Sequence, residues 1–173
     1  MNETIKTLLN RRSIRKYKEE QIKDEELKAV LEAGMYAPSA RNRQSPLFVA
    51  VQDKEILKKL DDMNKAVNGA SDPQYFNAPT VILVFGDKDV ATYIQDASLA
   101  LGNMFNAAAS LGLGSCWVNR EKEMFESEEG KALMKEWGIA DNYVGVGACT
   151  LGYPDGPIPE AKPRKDNYVI YVR

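Results

Sequence analysis

Residues 93–111 read YIQDASLALGNMFNAAASL, and this stretch is small and apolar around nearly the whole circumference of a helix. A helix without a polar face is buried, and its many alanines, serines and glycines let other backbones approach closely. One domain of 173 residues rarely surrounds a helix completely. We therefore predict a helix over Tyr93–Leu111, part of which lies at a subunit interface.

The rest of the chain predicts helices and strands in mixed order. Helices are expected over residues 3–10, 24–37, 54–63 and 121–137, and strands over residues 47–51, 80–85, 116–118, 143–151 and 168–172. The strand at residues 80–85 is apolar throughout, which is typical of a central strand. Residues 64–78 are predicted to be an irregular loop, suited to cover a site as a lid. Without strict strand–helix–strand alternation, the pattern favours a single α+β domain over residues 1–173.

Composition excludes several classes of function. The chain is 44% hydrophobic and 28% charged with a formal net charge of −2, which disfavours a general nucleic-acid binder. No apolar run is long enough to cross a membrane, and the first residues lack the apolar core of a signal peptide. We therefore expect a cytoplasmic protein that binds neither nucleic acid nor membranes.

The chain has no histidine and only two cysteines, Cys116 and Cys149, both in apolar strand-like runs. Two buried, reduced thiols are the expectation for such positions. The missing histidine removes the commonest general base, the usual zinc ligand and every histidine-based nucleophile triad. We therefore expect no metal site, and chemistry carried by a bound organic cofactor.

Four short motifs stand out, each with a plainer alternative. Arg11-Arg12-Ser13-Ile14-Arg15 is either a phosphate receptor or a solvated basic surface. Residues 37–44, APSARNRQ, either approach a flat ligand or only terminate a helix. Residues 112–118, GLGSCWV, either present backbone amides to a ligand or form a glycine cap before a strand, and they are not a dinucleotide fingerprint. Lys162-Pro163-Arg164 either completes the phosphate site or solvates the tail.

Together, in this order and over nearly the whole chain, these motifs resemble the FMN-dependent nitroreductase family. The resemblance implies a homodimer with an α+β three-layer sandwich, in which a mixed, mainly antiparallel sheet is flanked by helices. It also implies FMN at the dimer interface, which passes a hydride from NADH or NADPH through flavin N5 to a small-molecule acceptor. Nitroaromatics, quinones and similar electrophiles are the acceptors expected, by a ping-pong route.

The resemblance also implies which residues bind FMN, and it assigns no catalytic side chain. The phosphate and ribityl group would meet Arg11, Arg12, Ser13 and Arg15, complemented by Lys162 and Arg164. A segment from the partner subunit would contribute Pro38, Ser39, Ala40, Asn42 and Gln44. The strand and turn facing the isoalloxazine would be Cys116, Trp117, Val118 and Asn119.

Two positions depart from the family pattern. Ser45-Pro46 stand where Pro-Trp is common, and Asn119-Arg120 follow Trp117-Val118 where a glycine is common. Three alternatives stay open at this point: other flavin chemistry on the same fold, a non-catalytic FMN-binding sensor or reservoir, and a different phosphate-rich ligand such as RNA.

Overall fold

A computed structural model describes all residues from 1 to 173 and contains one four-stranded antiparallel sheet. The strands are β1 (Pro46–Val51), β2 (Thr80–Asp87), β3 (Gly114–Val118) and β4 (Tyr143–Gly152), in the order β1-β2-β4-β3. The helices are α1 (Glu3–Asn10), α2 (Asp24–Met35), α3 (Lys54–Asn68), α4 (Tyr93–Ser110), α5 (Glu121–Glu126) and α6 (Glu128–Glu136). A parallel element enters only as an isolated bridge between Ser13 and Ser115.

The sheet separates two apolar cores, because successive side chains of a strand point to opposite faces. On β2, Leu83 joins the core made with α3, α5 and α6, whereas Ile82 joins the core made with α2 and α4. Strand β2 is buried on both faces and pairs with β1 and β4, which confirms the prediction of a central strand at residues 80–85. Helices on both faces of the sheet give the three layers expected.

Helix α4 is buried along one face only. Its inward face includes Ala97, Leu101 and Met104, all with no exposed surface, whereas Ile94 and Leu99 are about half exposed, at 51% and 49%. One face of α4 is therefore left exposed within the chain, and the subunit interface expected there stays a prediction. No helix in the chain combines the length and apolarity needed to cross a membrane.

Three sequence predictions differ from the structure. Helix α3 continues to Asn68 and ends at Gly69, whose φ of 64° forms the left-handed cap, so the irregular segment is shorter than predicted. The helix predicted over residues 121–137 is two helices, because the Ser127 side chain accepts a hydrogen bond from the Gly130 amide at 3.0 Å and starts α6. Residues 168–172 form no strand, since within one chain they have no neighbouring strand to pair with.

Candidate functional site

The N-terminal arginine motif lies directly against the glycine-rich turn that leads into β3. The Ile14 amide donates to the Ser115 carbonyl at 3.0 Å. Gly114 makes this approach possible, because a Cβ at that position would lie 2.8 Å from Cγ2 of Ile14. Two of the four sequence motifs are therefore held together by the backbone itself.

The three arginines of this motif form no ion pair with any carboxylate. Arg12 Nη1 donates to the carbonyls of Leu9 and Arg11, at 2.8 and 2.7 Å, while its Nε is buried without an acceptor. The Arg15 guanidinium lies 5.8 Å from the centroid of the Phe76 ring. Because buried donors are almost always satisfied, the unpartnered Arg12 Nε and the two unpaired arginines are donors that could hold an anion.

Arg11 and Arg12 line a cavity of about 270 Å³, and Phe76, whose ring the Arg15 guanidinium contacts, lines a second one of about 550 Å³. The wall of this second cavity contains Asn68, Gln74, Phe76, Trp117, Val118, Asn119, Arg120, Lys122, Glu123 and Val146. The Trp117 indole donates to Asn119 Oδ1 at 2.6 Å. The ring packs over Gly147, where a Cβ would come within 2.8 Å of it. Three of the four residues predicted to face the isoalloxazine therefore line one cavity, whereas Cys116 is buried beside it.

The turn after β3 carries unused hydrogen-bond donors. The amides of Asn119 and Arg120 donate to no backbone or side-chain acceptor within the chain. Arg120 has a φ of 91°, a left-handed value that suits glycine far better than arginine. Free amides in a cavity wall can bind an electron-rich ligand edge.

The segment of residues 38–44 is built separately, on the first turn of α4. The Asp96 carboxylate is buried, and it accepts from the Ala40 amide at 3.1 Å and from Ser45 Oγ at 2.8 Å. Arg41, Asn42 and Gln44 all have positive φ values, near 50°. None of the predicted ligand residues of this segment lines the Trp117 cavity of the same chain. Within one protomer the structure therefore does not bring the two parts of the predicted site together.

Asp96→Ala is expected to release residues 38–44 from the first turn of α4. The substitution leaves the Ala40 amide and the Ser45 hydroxyl without their acceptor, which costs about 2–4 kcal/mol of stability. Trypsin should then cleave faster after Arg41 or Arg43, as identified by mass spectrometry. Asp53→Ala is the matched control, since it removes the carboxylate that caps α3 far from this segment. If both variants are cleaved faster to the same extent, Asp96 does not specifically hold residues 38–44 in place.

Lys162 and Arg164 lie in an exposed tail that runs from residue 156 to the end of the chain. The tail leaves the body where the Asp155 amide donates to the Lys16 carbonyl at 3.0 Å, close to the arginine motif. Neither Lys162 nor Arg164 forms a hydrogen bond or an ion pair, so their assignment to the phosphate site stays a prediction.

Sequence reasoning missed the polar residues behind the cavity wall. Asn64 is fully buried on α3 and donates to the Asn119 carbonyl at 2.8 Å. Glu121 is also fully buried, and its Oε1 accepts from the Tyr75 hydroxyl at 3.0 Å. Burial raises the pKa of the Glu121 carboxyl from 4.5 to about 8, so the group is largely neutral at pH 7. No sequence pattern marks Glu121, because it lies among alternating charges typical of a surface helix.

Comparison with known proteins shows which family has this architecture. Residues 8–153 match the model of the nitroreductase family. An Archaeoglobus fulgidus protein with the provisional name NADH dehydrogenase/NAD(P)H nitroreductase is 39% identical over 162 residues, covering 89% of this chain and 87% of its own. The NADPH-flavin oxidoreductase of Vibrio harveyi is 28% identical over 98% of this chain and 73% of its own.

Solved structures of similar fold point to the same family. The crystal structure of a nitroreductase with bound FMN from Bacteroides fragilis is 32% identical, covers 100% of both chains and superposes with a TM-score of 0.92. A second nitroreductase with bound FMN, from Desulfitobacterium hafniense, is 28% identical, covers 100% of both chains and has a TM-score of 0.89. The fold and these matches define an α+β oxidoreductase. More narrowly, this chain belongs to the nitroreductase family.

Proposed function

We propose that the protein is an FMN-dependent oxidoreductase that takes electrons from NADH or NADPH and reduces nitroaromatics, quinones or similar electrophiles. The observation that carries the proposal is the unpaired arginine cluster, with its buried Arg12 Nε and with Arg15 stacked on Phe76 in the wall of the Trp117 cavity. The two nitroreductases named above that contain FMN share this fold over their whole length.

The residues present suit FMN at both of its ends. Arg11, Arg12 and Arg15 offer guanidinium donors, with the Ser13 hydroxyl beside them, to a phosphate. The free amides of Asn119 and Arg120 offer hydrogen bonds to a polar ring edge. FMN, when bound, supplies the two-electron chemistry, accepting a hydride at N5 and passing electrons to the acceptor.

The chain's own contribution is binding, orientation and electrostatic stabilisation. No histidine is present to move protons, and the buried Glu121 is not part of the cavity wall. Protons for the acceptor therefore come from solvent in this proposal, and no side chain is assigned as an acid or base. The amides at residues 119 and 120 would stabilise negative charge that develops on a reduced ring.

The proposal includes a homodimer, supported by apolar surface that one chain leaves uncovered. Helix α1 buries none of its residues, so its Leu8 and Leu9 are exposed, as are Ile94 and Leu99 of α4. In the tail, residues 168–172 read YVIYV and are at least 60% exposed. A second copy would cover these apolar surfaces and bring its segment of residues 38–44 to the cavity.

The test is a flavin titration followed by anaerobic reduction. The protein is expected to bind about one FMN per chain, to turn yellow, and to lose its flavin absorbance when NADH or NADPH is added without oxygen. Stopped-flow mixing of the reduced protein with nitroaromatics and quinones then identifies the acceptor class, and analytical ultracentrifugation should give a dimer.

Failure to take up FMN would overturn the proposal. Uptake of FMN without bleaching by either nucleotide would instead make the protein a binding module. If neither nitroaromatics nor quinones reoxidise the reduced protein, only FMN binding and its reduction by NADH or NADPH would stand.

A further inference from the structure

Arg120 holds an unfavourable backbone conformation at the point where the cavity wall turns from β3 into α5. Its φ of 91° and ψ of 5° lie in the left-handed region, where a side chain is strained. Such strain persists only when the surroundings over-determine it, and it is found preferentially at functional sites. The contacts of Arg120 therefore indicate what fixes this turn.

Two asparagines on the last turns of α3 provide those contacts. Asn68 Oδ1 accepts from Arg120 Nε at 3.0 Å, and Asn68 Nδ2 donates to Asn64 Oδ1 at 2.5 Å. Asn64 Nδ2 in turn donates to the Asn119 carbonyl at 2.8 Å. On the other side, Glu123 pairs with Arg120 Nη1 at 3.0 Å. Both the side chain and the backbone of the turn are thus tied to the end of one helix.

The hydrogen bond from Asn64 also fixes the direction of one free amide. The Asn119 carbonyl and the Arg120 N–H belong to the same planar peptide, which is trans, so the two groups point in opposite directions. Asn64 has no exposed surface and lies behind the cavity wall. A carbonyl held toward Asn64 therefore aims the Arg120 N–H away from that buried side chain, and Arg120 itself lines the cavity.

We propose that Asn64 and Asn68 are positioning residues that hold the turn at residues 119–120 and thereby set the reduction potential of FMN bound in the adjoining cavity. The inference rests on the proposed function, because it requires a flavin there. A donor aimed at a ring that gains negative charge on reduction favours the reduced state. Loosening the donor should make reduction harder without removing any phosphate ligand.

The first experiment measures the midpoint potential of bound FMN by anaerobic titration with a reference dye. Asn64→Leu keeps the side-chain size but removes the amide, and with it both the Nδ2 donor and the Oδ1 acceptor. We expect the two-electron reduction constant to fall about tenfold, equivalent to about 30 mV. Asn142→Leu is the matched control, because it removes an amide that donates to Asp87 at 2.8 Å outside the cavity. That control should keep the wild-type potential.

A second experiment uses glycine to remove the strain. Because glycine adopts a φ of 91° freely, Arg120→Gly should remove the part of the turn's dependence on Asn68 that acts through the arginine side chain and leave the part that acts through Asn64. Asn68→Ala should therefore lower the potential more in the Arg120 background than in the Arg120→Gly background. A purely structural role for Asn68 would change thermal stability alike in both backgrounds without moving the potential. This comparison of Asn68→Ala in two backgrounds also tests the proposal if the Asn64→Leu variant does not fold.

The outcomes separate this inference from the function beneath it. Wild-type protein that binds no FMN would overturn both. FMN uptake and bleaching by NADH or NADPH, with one potential shared by wild type, Asn64→Leu and Asn142→Leu, would overturn the inference alone. An equal effect of Asn68→Ala on the potential in both backgrounds would rule out a positioning role of Asn68 that acts through the Arg120 side chain, and no effect in either would rule out any positioning role of Asn68.

Discussion

Replacing Arg11 and Arg15 together with alanine is expected to abolish FMN retention while leaving the fold intact. Each guanidinium that bonds a phosphate contributes about 1.5–3 kcal/mol, so losing two should weaken FMN binding roughly 10²- to 10⁴-fold. The stability of the folded chain depends little on these two side chains. Neither side chain forms an ion pair, and Arg15 contributes only its stacking against Phe76. Arg12 is left unchanged because it bonds the carbonyls at the end of α1.

Titration of the flavin-free protein with FMN, followed by fluorescence quenching, measures this effect, and thermal melting of the same samples checks the fold. Lys131→Ala/Lys135→Ala is the control, since it removes the same positive charge from α6, outside the cavity wall. FMN affinity should be close to wild type in the control. Unchanged flavin occupancy in the Arg11/Arg15 double variant would refute the phosphate assignment.

Glu121→Gln is expected to remove most of the loss of stability that accompanies rising pH. The Glu121 carboxyl releases its proton near pH 4.5 in the unfolded chain but only near pH 8 in the folded one, because burial disfavours the charge. Between these values the folded state holds the extra proton. The stabilisation is therefore complete below about pH 4.5, decreases as pH rises, and is lost above about pH 8. The pKa difference corresponds to about 3–6 kcal/mol over that window.

Urea unfolding at several pH values between 5 and 9 tests this expectation. The stability of the Glu121→Gln variant relative to wild type should increase up to about pH 8 and level off above it, because the glutamine never ionises. Any constant cost of burying the amide affects every pH equally and leaves the trend intact. Glu126→Gln, on the exposed side of the same helix, should run parallel to wild type. Parallel curves for Glu121→Gln as well would mean that Glu121 titrates normally.

The sequence predicted elements where a local signal was sufficient. Asn2 caps α1, as its position before an amphipathic run suggests, and Pro38 follows closely on the end of α2. The division between α5 and α6 was missed because the charge pattern continues through Ser127, and only the bond to the Gly130 amide reveals a new helix start. The strand predicted at residues 168–172 failed because β-branched and aromatic residues need a partner strand, which local sequence cannot supply.

The residues of the candidate site also fall into those that a local sequence signal marks and those that it does not. The arginine motif and the residues from Trp117 to Asn119 stand out in the sequence as candidates because each is a compact stretch with its own chemistry. Asn64, Phe76 and Glu121 do not, since each acquires its role from a neighbour distant in sequence: the Asn119 carbonyl, the Arg15 guanidinium and the Tyr75 hydroxyl. Such roles depend on tertiary packing rather than on local pattern.

Residues 38–44 do not line the Trp117 cavity of their own chain, so the proposed completion of the site by a second copy would have a thermodynamic consequence. A ligand site completed by a second copy ties cofactor binding to self-association, and the coupling must be reciprocal. FMN would raise the affinity of the subunits for one another by the same factor by which association raises the affinity for FMN. Cofactor content would then follow protein concentration, so a dilute sample would lose flavin and quaternary structure together.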